Sequence, residues 1–210
     1  MTIVEDRTPT RTVAADFAVA RRAMIDSQLR PSGVSAPWVL ERMAELPRED
    51  FVPPARRAVA YMDRAVPLAG GRWLAPATVH GLMVQEARPR ADDRVLVVDG
   101  GSGYLPTLIR PLAGSVEVIG VEAASAGTVA ADGAGGGYTL LLVDGAAEQL
   151  PAPLLATLAP GARIVTGLVE SGVTRLAAGQ AVDGRAALLP LMEIGIPVLP
   201  EFAAPRVWSF

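Results

Sequence analysis

The spacing of hydrophobic residues changes near residue 94, and the two halves of the chain predict different structures. Before that point, apolar residues recur at helical spacing, with charged residues between them and prolines at the ends of the segments. This pattern predicts helices over Phe17–Leu29, Trp38–Leu46, Ala55–Met62 and Pro76–Ala87. Ser35 is the expected N-cap of the second of these helices, because Pro37 lies just inside it.

The second half predicts a sheet. Residues Val95–Val98 are continuously apolar and mostly β-branched, which is typical of a strand buried on both faces of a parallel sheet. Similar runs predict strands over Val116–Val121, Tyr138–Val143 and Arg163–Leu168, with a helix over Pro151–Leu158 before the last. Because strands and helices alternate, we expect an α/β fold with a doubly wound, mostly parallel sheet.

The length of 210 residues fits a single domain. Half of the residues are hydrophobic and 20% are charged, which is enough for a sizeable core and excludes a disordered tail protein. Within this domain we expect a helical substrate-side region over 1–93, a cofactor region over 94–185 and an apolar, proline-rich tail over 186–210. The tail is expected to add edge strands or to pack over the sheet.

Composition narrows the possible chemistry. The formal net charge is −3 and every basic residue is arginine, so we expect neither a nucleic-acid partner nor an anionic membrane surface. There is no cysteine and one histidine, His80, which argues against disulfides, thiolate nucleophiles and metal sites. Neither a signal sequence nor an apolar run of membrane-spanning length is apparent, so a cytoplasmic protein is expected.

A glycine-rich turn is the strongest local signal. Asp99, Gly100, Gly101, Ser102 and Gly103 directly follow the first predicted strand, and Glu122 follows about 20 residues later, at the expected end of the next strand. Glycines let a ligand approach the backbone, and a carboxylate at that distance can hold two ribose hydroxyls. The turn lacks a full G-x-G-x-x-G pattern, so an ordinary tight connection between strand and helix is the alternative.

A long series of residues resembles the protein-L-isoaspartate O-methyltransferase family. The matching segments are Met24-Ile25, Gln28-Leu29, Gly33-Val34, Pro47-Arg48-Glu49, Phe51-Val52-Pro53, Ala60-Tyr61 with Asp63, Pro67-Leu68, Pro76, Val95-Leu96, Gly101-Ser102-Gly103-Tyr104, Val121-Glu122 and Pro160-Gly161. The resemblance implies a Rossmann-like methyltransferase fold and methyl transfer from S-adenosylmethionine to isoaspartyl carboxyls of damaged proteins.

The resemblance also assigns candidate residues. It implies cofactor binding by the turn from Asp99 to Gly103 and by Glu122, with Asp132 as a remnant of the adenine contact or a plain loop aspartate. It places Tyr61, Asp63 and Pro76 on the substrate side; a buried tyrosine with a capping aspartate is an equally good interpretation of the first two.

Several departures fall on functional positions. Leu74 stands where the family has a hydroxyl residue beside the methyl-transfer site, and Thr78 is the nearest hydroxyl that could take its place, although a capping or surface threonine is the simpler interpretation. Val97 replaces an acidic residue and Asp99 replaces a glycine. Residues 123–128 are too few for a parallel crossover, which needs about a dozen residues, so we expect a shortened sheet edge.

Three functions remain open from the sequence. The first is an S-adenosylmethionine-dependent methyltransferase acting on isoaspartyl peptides. The second is a catalytically degenerate member of that family that binds a partner. The third, a nicotinamide dehydrogenase, shares the strand, turn and acidic residue but leaves the N-terminal half of the chain unexplained.

Overall fold

A computed structural model describes residues 13–128 and 137–205. The N-terminal region is helical, as predicted. Helix α1 spans Val13–Met24 and continues as a π-helical turn, Ile25–Leu29; α2 spans Pro37–Glu45 and α3 spans Ala77–Ala87. The helix predicted over 55–62 is a short 3₁₀ helix, Pro54–Val59, preceded by another, Arg48–Phe51. A small antiparallel pair, β1 (Val66–Pro67) and β2 (Trp73–Leu74), leads into α3.

The N-cap prediction for α2 is wrong. Ala36 occupies the cap position, and no side chain caps the helix there. Instead, the Gln85 side chain on α3 accepts hydrogen bonds from the backbone N–H groups of Ser35 and Ala36, at 2.9 and 3.0 Å. The donors before α2 are therefore satisfied from a neighbouring helix, which also ties α3 to the start of α2.

The second half forms one sheet. Its strands are β3 (Arg94–Asp99), β4 (Ser115–Gly120), β5 (Tyr138–Ala147), β6 (Leu158–Glu170), β7 (Val173–Val182) and β8 (Arg185–Glu193). Their order is β4-β3-β5-β6-β7-β8, with the first four parallel and β7 and β8 antiparallel. Helices α4 (Tyr104–Ile109), α5 (Val121–Ala126) and α6 (Ala152–Leu155) connect the parallel strands.

This topology confirms the doubly wound, mostly parallel sheet. Within the described residues β4 is the edge strand, as the short segment after Glu122 implied. The tail does add an edge strand, β8, but β7 was not predicted. The predicted helix 151–158 is wrong at its end, because α6 stops at Leu155 and Leu158 already belongs to β6.

Alternating side chains of β3 and β5 divide the core into two layers. Val95, Val97, Leu140 and Leu142 pack with the layer of α1 to α4, and the intervening residues pack with the layer of α5 and α6. Both strands continue this alternation at their carboxyl ends. Asp99 and Asp144 therefore lie on the first face, toward α3.

In the part of the chain that the structure describes, no helix has both the length and the apolar character needed to cross a membrane.

Candidate functional site

The glycine turn joins β3 to α4 at the carboxyl edge of the sheet. Gly101 and Gly103 have φ of +105° and +70°, values that favour glycine. Both carboxylate oxygens of Asp99 accept the Gly103 N–H, at 3.0 and 3.1 Å, and the Ser102 hydroxyl oxygen accepts the N–H of Tyr104 at 3.1 Å. Asp99, expected to face a ligand, thus also closes its own turn.

A second carboxylate lies beside Asp99. Val98 pairs with Val143 in the parallel register of β3 and β5, so the next residues, Asp99 and Asp144, are neighbours across the two strands. Gly100 lies against Asp144, and a Cβ atom at that glycine would overlap the carbonyl oxygen of Asp144. Burial raises the pKa of the Asp99 carboxyl, and the charge of Asp144 raises it further.

Asp144 ends a chain of buried hydrogen bonds. Its Oδ1 lies 2.9 Å from Nε2 of His80, and Nδ1 of His80 lies 3.2 Å from a terminal nitrogen of Arg48. All three side chains are buried. A guanidinium can only donate, so Nδ1 of His80 accepts and Nε2 carries the proton that is donated to Asp144.

Arg48 is held by several partners. Its Nε donates to the carbonyl oxygen of Ala60 at 2.8 Å, and its other terminal nitrogen donates to that of Ala75. Its guanidinium also lies over the ring of Tyr104, 5.0 Å from the centroid. Because Ala75 follows Leu74 directly, one buried arginine connects the expected substrate loop with the glycine-turn side.

Glu122 does not end a strand, contrary to the prediction. Strand β4 stops at Gly120, and Glu122 lies in the first turn of α5, because Val121 and Ala124 turn inward to the core. The Glu122 carboxylate is exposed and accepts a hydrogen bond from Arg72. A hydrogen bond from the backbone of Glu122 and the bond from Arg72 lower the pKa of this carboxyl.

Arg72 links three parts of the site. It also pairs with Glu201, at 2.8 and 3.2 Å from the two carboxylate oxygens, and its Cγ lies 2.8 Å from the position that a Cβ on Gly101 would take. Glu201 belongs to a 3₁₀ helix, Pro200–Phe202, in the tail. The side chain of Arg72 therefore lies directly over the glycine turn.

Leu74 and Thr78 do not face the solvent. Leu74 is fully buried, whereas its neighbour Trp73 is 44% exposed. Thr78 is also buried; its hydroxyl donates to Asp63 at 2.6 Å, and its N–H donates to the other carboxylate oxygen of Asp63 at 3.0 Å. Asp63 therefore caps the start of α3 from outside the helix, and the hydroxyl of Thr78 is already bonded.

The hydroxyl of Tyr61 is also fully used. It accepts from Nε of Arg21 at 2.8 Å and from the N–H of Arg48 at 3.2 Å, and it donates to Glu49. Burial and the hydrogen bond to Glu49 raise the pKa of the Tyr61 phenol. These contacts join α1 to the turn at Arg48, which is a structural role. Pro76 precedes α3, and its carbonyl oxygen accepts the N–H of His80 at 3.3 Å.

A cavity of about 580 Å³ lies on the substrate side. Its walls combine the segment before α3 with the start of the tail, and they include Asp63, Arg64, Trp73, Pro76 and residues 194–198. A larger cavity, about 820 Å³, lies between α1 and α2, and its lining contains none of the predicted substrate-side residues Tyr61, Asp63 and Pro76. The cavity at Trp73 is therefore the one that adjoins the predicted substrate residues.

Arg48, His80 and Asp144 were not predicted as site residues. A signal existed for Asp144, because it follows a buried strand directly, as Asp99 does. Asp132, the candidate adenine contact, lies outside the described residues.

The polar groups along this edge of the sheet fit a nucleoside cofactor that carries a charged amino acid at one end. Glu122 offers an exposed carboxylate next to the turn, and Gly101 and Gly103 add no side chains of their own to it, although the side chain of Arg72 lies over it. One oxygen of Asp144, Oδ2, is buried and has no hydrogen-bond partner among the described residues. Such an atom is the kind of group that a bound ligand satisfies.

The fold and this edge define a Rossmann-like methyltransferase. A structure of a Plasmodium falciparum protein described as a protein-L-isoaspartate O-methyltransferase, in complex with S-adenosyl-L-homocysteine, superimposes with a TM-score of 0.65 at 16% identity, covering 86% of this chain and 98% of that one. A second solved protein-L-isoaspartate O-methyltransferase gives 0.63 at 16% identity, covering 87% of this chain and 67% of that one.

The sequence comparisons identify the family. The profile described as protein-L-isoaspartate(D-aspartate) O-methyltransferase matches residues 20–134. Protein-L-isoaspartate O-methyltransferase 2 of Anaeromyxobacter sp. (strain Fw109-5) is 35% identical over 165 residues, covering 69% of this chain and 68% of the relative. The Roseiflexus castenholzii enzyme is 34% identical over 170 residues, covering 71% and 78%. The chain belongs to the protein-L-isoaspartate O-methyltransferase family, whose cofactor is S-adenosylmethionine.

Proposed function

We propose that this chain transfers a methyl group from S-adenosylmethionine to isoaspartyl carboxyl groups of proteins. The observation that carries the proposal is the arrangement of one edge of the sheet. The glycine turn after β3 and the Glu122 carboxylate beside it lie at the same edge as the loop Trp73–Pro76, which borders the cavity. Cofactor and peptide would meet at that loop.

The cofactor-binding residues are those of the turn and of the neighbouring strand end. Glu122 would hold the ribose hydroxyls, after Arg72 yields its carboxylate, and the glycine turn would lie along the nucleoside. S-adenosylmethionine supplies an electrophilic methyl group on its sulfonium. The protein therefore needs mainly to bind and orient the two substrates.

The peptide side of the proposal uses the cavity at Trp73. The exposed indole of Trp73 and the segment 194–198 offer apolar surface, and Arg64 offers a positive charge to an isoaspartyl carboxylate. That carboxylate is already ionised at neutral pH, so no general base is required. The buried Leu74 gives the substrate no hydrogen bond, and orientation would come from the cavity walls.

This proposal assigns the helical region 1–93 to the substrate side, 94–185 to the cofactor and 186–210 to the tail, in one domain acting in the cytoplasm. The tail contributes residues 194–198 to the cavity and Glu201 to the contacts of Arg72. The tail would thus take part in binding both the substrate and the cofactor.

A paired peptide assay tests the proposed activity. Two synthetic peptides of identical sequence, one with an isoaspartyl and one with a normal aspartyl linkage, are incubated with the protein and methyl-labelled S-adenosylmethionine. Transfer of label to the isoaspartyl peptide alone supports the proposal, and Glu122→Gln should reduce it while Glu170→Gln, on the β6–β7 hairpin, should not. No transfer to either peptide at millimolar cofactor would contradict it.

A further inference from the structure

Three acidic residues follow the carboxyl edge of the sheet in spatial order. Glu122 comes just after β4, Asp99 ends β3, and Asp144 lies near the carboxyl end of the parallel run of β5; these strands are adjacent in the order β4-β3-β5. Neighbouring strands are about 4.8 Å apart, so the row spans roughly 10 Å. An elongated ligand lying along this edge would pass all three carboxylates.

Asp144 is held in a fixed orientation. His80 donates its Nε2–H to Oδ1, and Arg48 fixes the ring of His80 from the other side. Arg48 is itself fixed by the carbonyl oxygens of Ala60 and Ala75. Because every member of this chain is buried, the direction of the free oxygen, Oδ2, is set by packing and hydrogen bonds.

Within the described residues, neither Asp99 nor Asp144 forms a direct ion pair with an arginine. The hydrogen bonds of Arg48 go to backbone oxygens and to Nδ1 of His80, and Oδ2 of Asp144 has no partner within the described residues. Asp99 bonds the N–H of Gly103, which is uncharged. Asp144 is buried and Asp99 is half-buried, and two such neighbouring acids are stabilised when a positive group with hydrogen-bond donors binds between them.

We infer that Asp144, positioned by His80 and assisted by Asp99, binds the α-ammonium group of the methionine portion of the cofactor. The inference rests on the proposed function, because it assigns the opposite end of the ligand whose ribose meets Glu122. Running from β4 to β5, the acids occur in the order in which that ligand presents its ribose and then its ammonium. Oδ2 is enclosed, so binding at this atom requires side chains over the edge to move.

The assigned role of Asp144 predicts different effects on the binding of two ligands that differ by one chemical group. S-adenosylhomocysteine carries the α-ammonium, and its deaminated analogue does not. Asp144→Asn keeps the side-chain shape and an oxygen that can accept from His80, but it removes the negative charge. Loss of a charge-assisted hydrogen bond should weaken binding about tenfold or more.

Calorimetric titration of both ligands tests the assignment. We expect Asp144→Asn to lower the affinity for S-adenosylhomocysteine by about tenfold or more and to leave the affinity for the deaminated analogue unchanged. Asp92→Asn makes the same charge change on an exposed residue before β3, at the opposite end of the strand, and should alter neither affinity. Equal effects of Asp144→Asn on both ligands, or no effect on either, would overturn the inference.

The outcomes for the two proposals remain distinct. If the unmodified protein binds neither S-adenosylmethionine nor S-adenosylhomocysteine at millimolar concentration, the proposed function fails and the inference fails with it. If it binds S-adenosylhomocysteine without dependence on Asp144, the inference alone fails. Thermal melting verifies the fold of each variant, and Asp99→Asn provides the same ligand comparison if Asp144→Asn does not fold.

Discussion

Arg72 donates a hydrogen bond to Glu122, and the two residues are 50 positions apart in the chain. The acid that the sequence assigns to the ribose is therefore held by a residue from the segment just before the substrate loop. The same guanidinium bonds Glu201 in the tail, so three separate segments meet over the glycine turn. This relationship leads to the first prediction.

Arg72 and a ribose would compete for the same carboxylate. We therefore expect Arg72→Gln to bind S-adenosylhomocysteine more tightly than the unmodified protein, as measured by calorimetric titration. The difference should shrink at high salt, because screening weakens an exposed ion pair. Arg175 lies on the distant strand β7 and pairs with Glu170 of β6 and Glu193 of β8, so Arg175→Gln breaks exposed ion pairs there and should leave the affinity unchanged. Weaker binding in Arg72→Gln would show instead that Arg72 contacts the ligand.

His80 satisfies two buried polar groups at once. His80→Leu leaves a donor of Arg48 and Oδ1 of Asp144 without partners, and we expect the free energy of unfolding to fall by about 3 kcal/mol or more. His80→Gln keeps a side chain that can both accept and donate, so it should lose less. Urea denaturation of the two variants provides the comparison; equal stability losses would argue against the hydrogen-bond chain.

Leu74 is a core residue at a position where the family resemblance implies a hydroxyl side chain. Leu74→Ser should lower the free energy of unfolding by about 3 kcal/mol, because it leaves a cavity and a buried hydroxyl. Leu189 is 67% exposed, so Leu189→Ser should change stability by no more than about 0.5 kcal/mol. Both values come from chemical denaturation. A Leu74→Ser variant as stable as the unmodified protein would show that the loop readily turns outward.

Asp99 should destabilise the folded protein at neutral pH. Burial and the charge of Asp144 raise the pKa of its carboxyl in the folded state, so the ionised form costs free energy on folding. Asp99→Asn should therefore raise the melting temperature at pH 7. The gain should begin to shrink as pH falls through the raised folded-state pKa of Asp99, and it should vanish below the unfolded-state pKa, where the carboxyl is protonated in both states. Asp92→Asn serves as the control, and a gain that persists at low pH would contradict this account.

Local patterns predicted much of the fold. The strand Val95–Val98, the turn from Asp99 to Gly103 and the helix over 76–87 depend on neighbouring residues, and the structure contains all three within a residue or two. Counting residues after Glu122 led to the expected shortened edge, and within the described residues β4 is the edge strand. The prediction that failed was also local: β4 ends at Gly120, and Val121 already belongs to α5.

The buried hydrogen bonds that join Arg48, His80 and Asp144 could not be predicted from the sequence. Arg48 and His80 are 32 residues apart, and His80 and Asp144 are 64 apart, so only the packed fold brings them together. Arg48 belongs to a recognisable family segment, but nothing in that segment indicates its partner. His80 lies on the buried helix α3, and its two polar contacts depend on β5 and on the segment at Arg48.

Because the chain contains one histidine, the proton on its imidazole gives a spectroscopic signal without ambiguity. In nitrogen-edited nuclear magnetic resonance of a uniformly labelled sample, all imidazole signals come from His80, and these signals report the tautomer with hydrogen on Nε2. No resonance assignment or selective labelling is needed. The imidazole of His80 therefore serves as a spectroscopic probe inside the site, and the signals of its two ring nitrogens can be followed separately during titration with a nucleoside ligand.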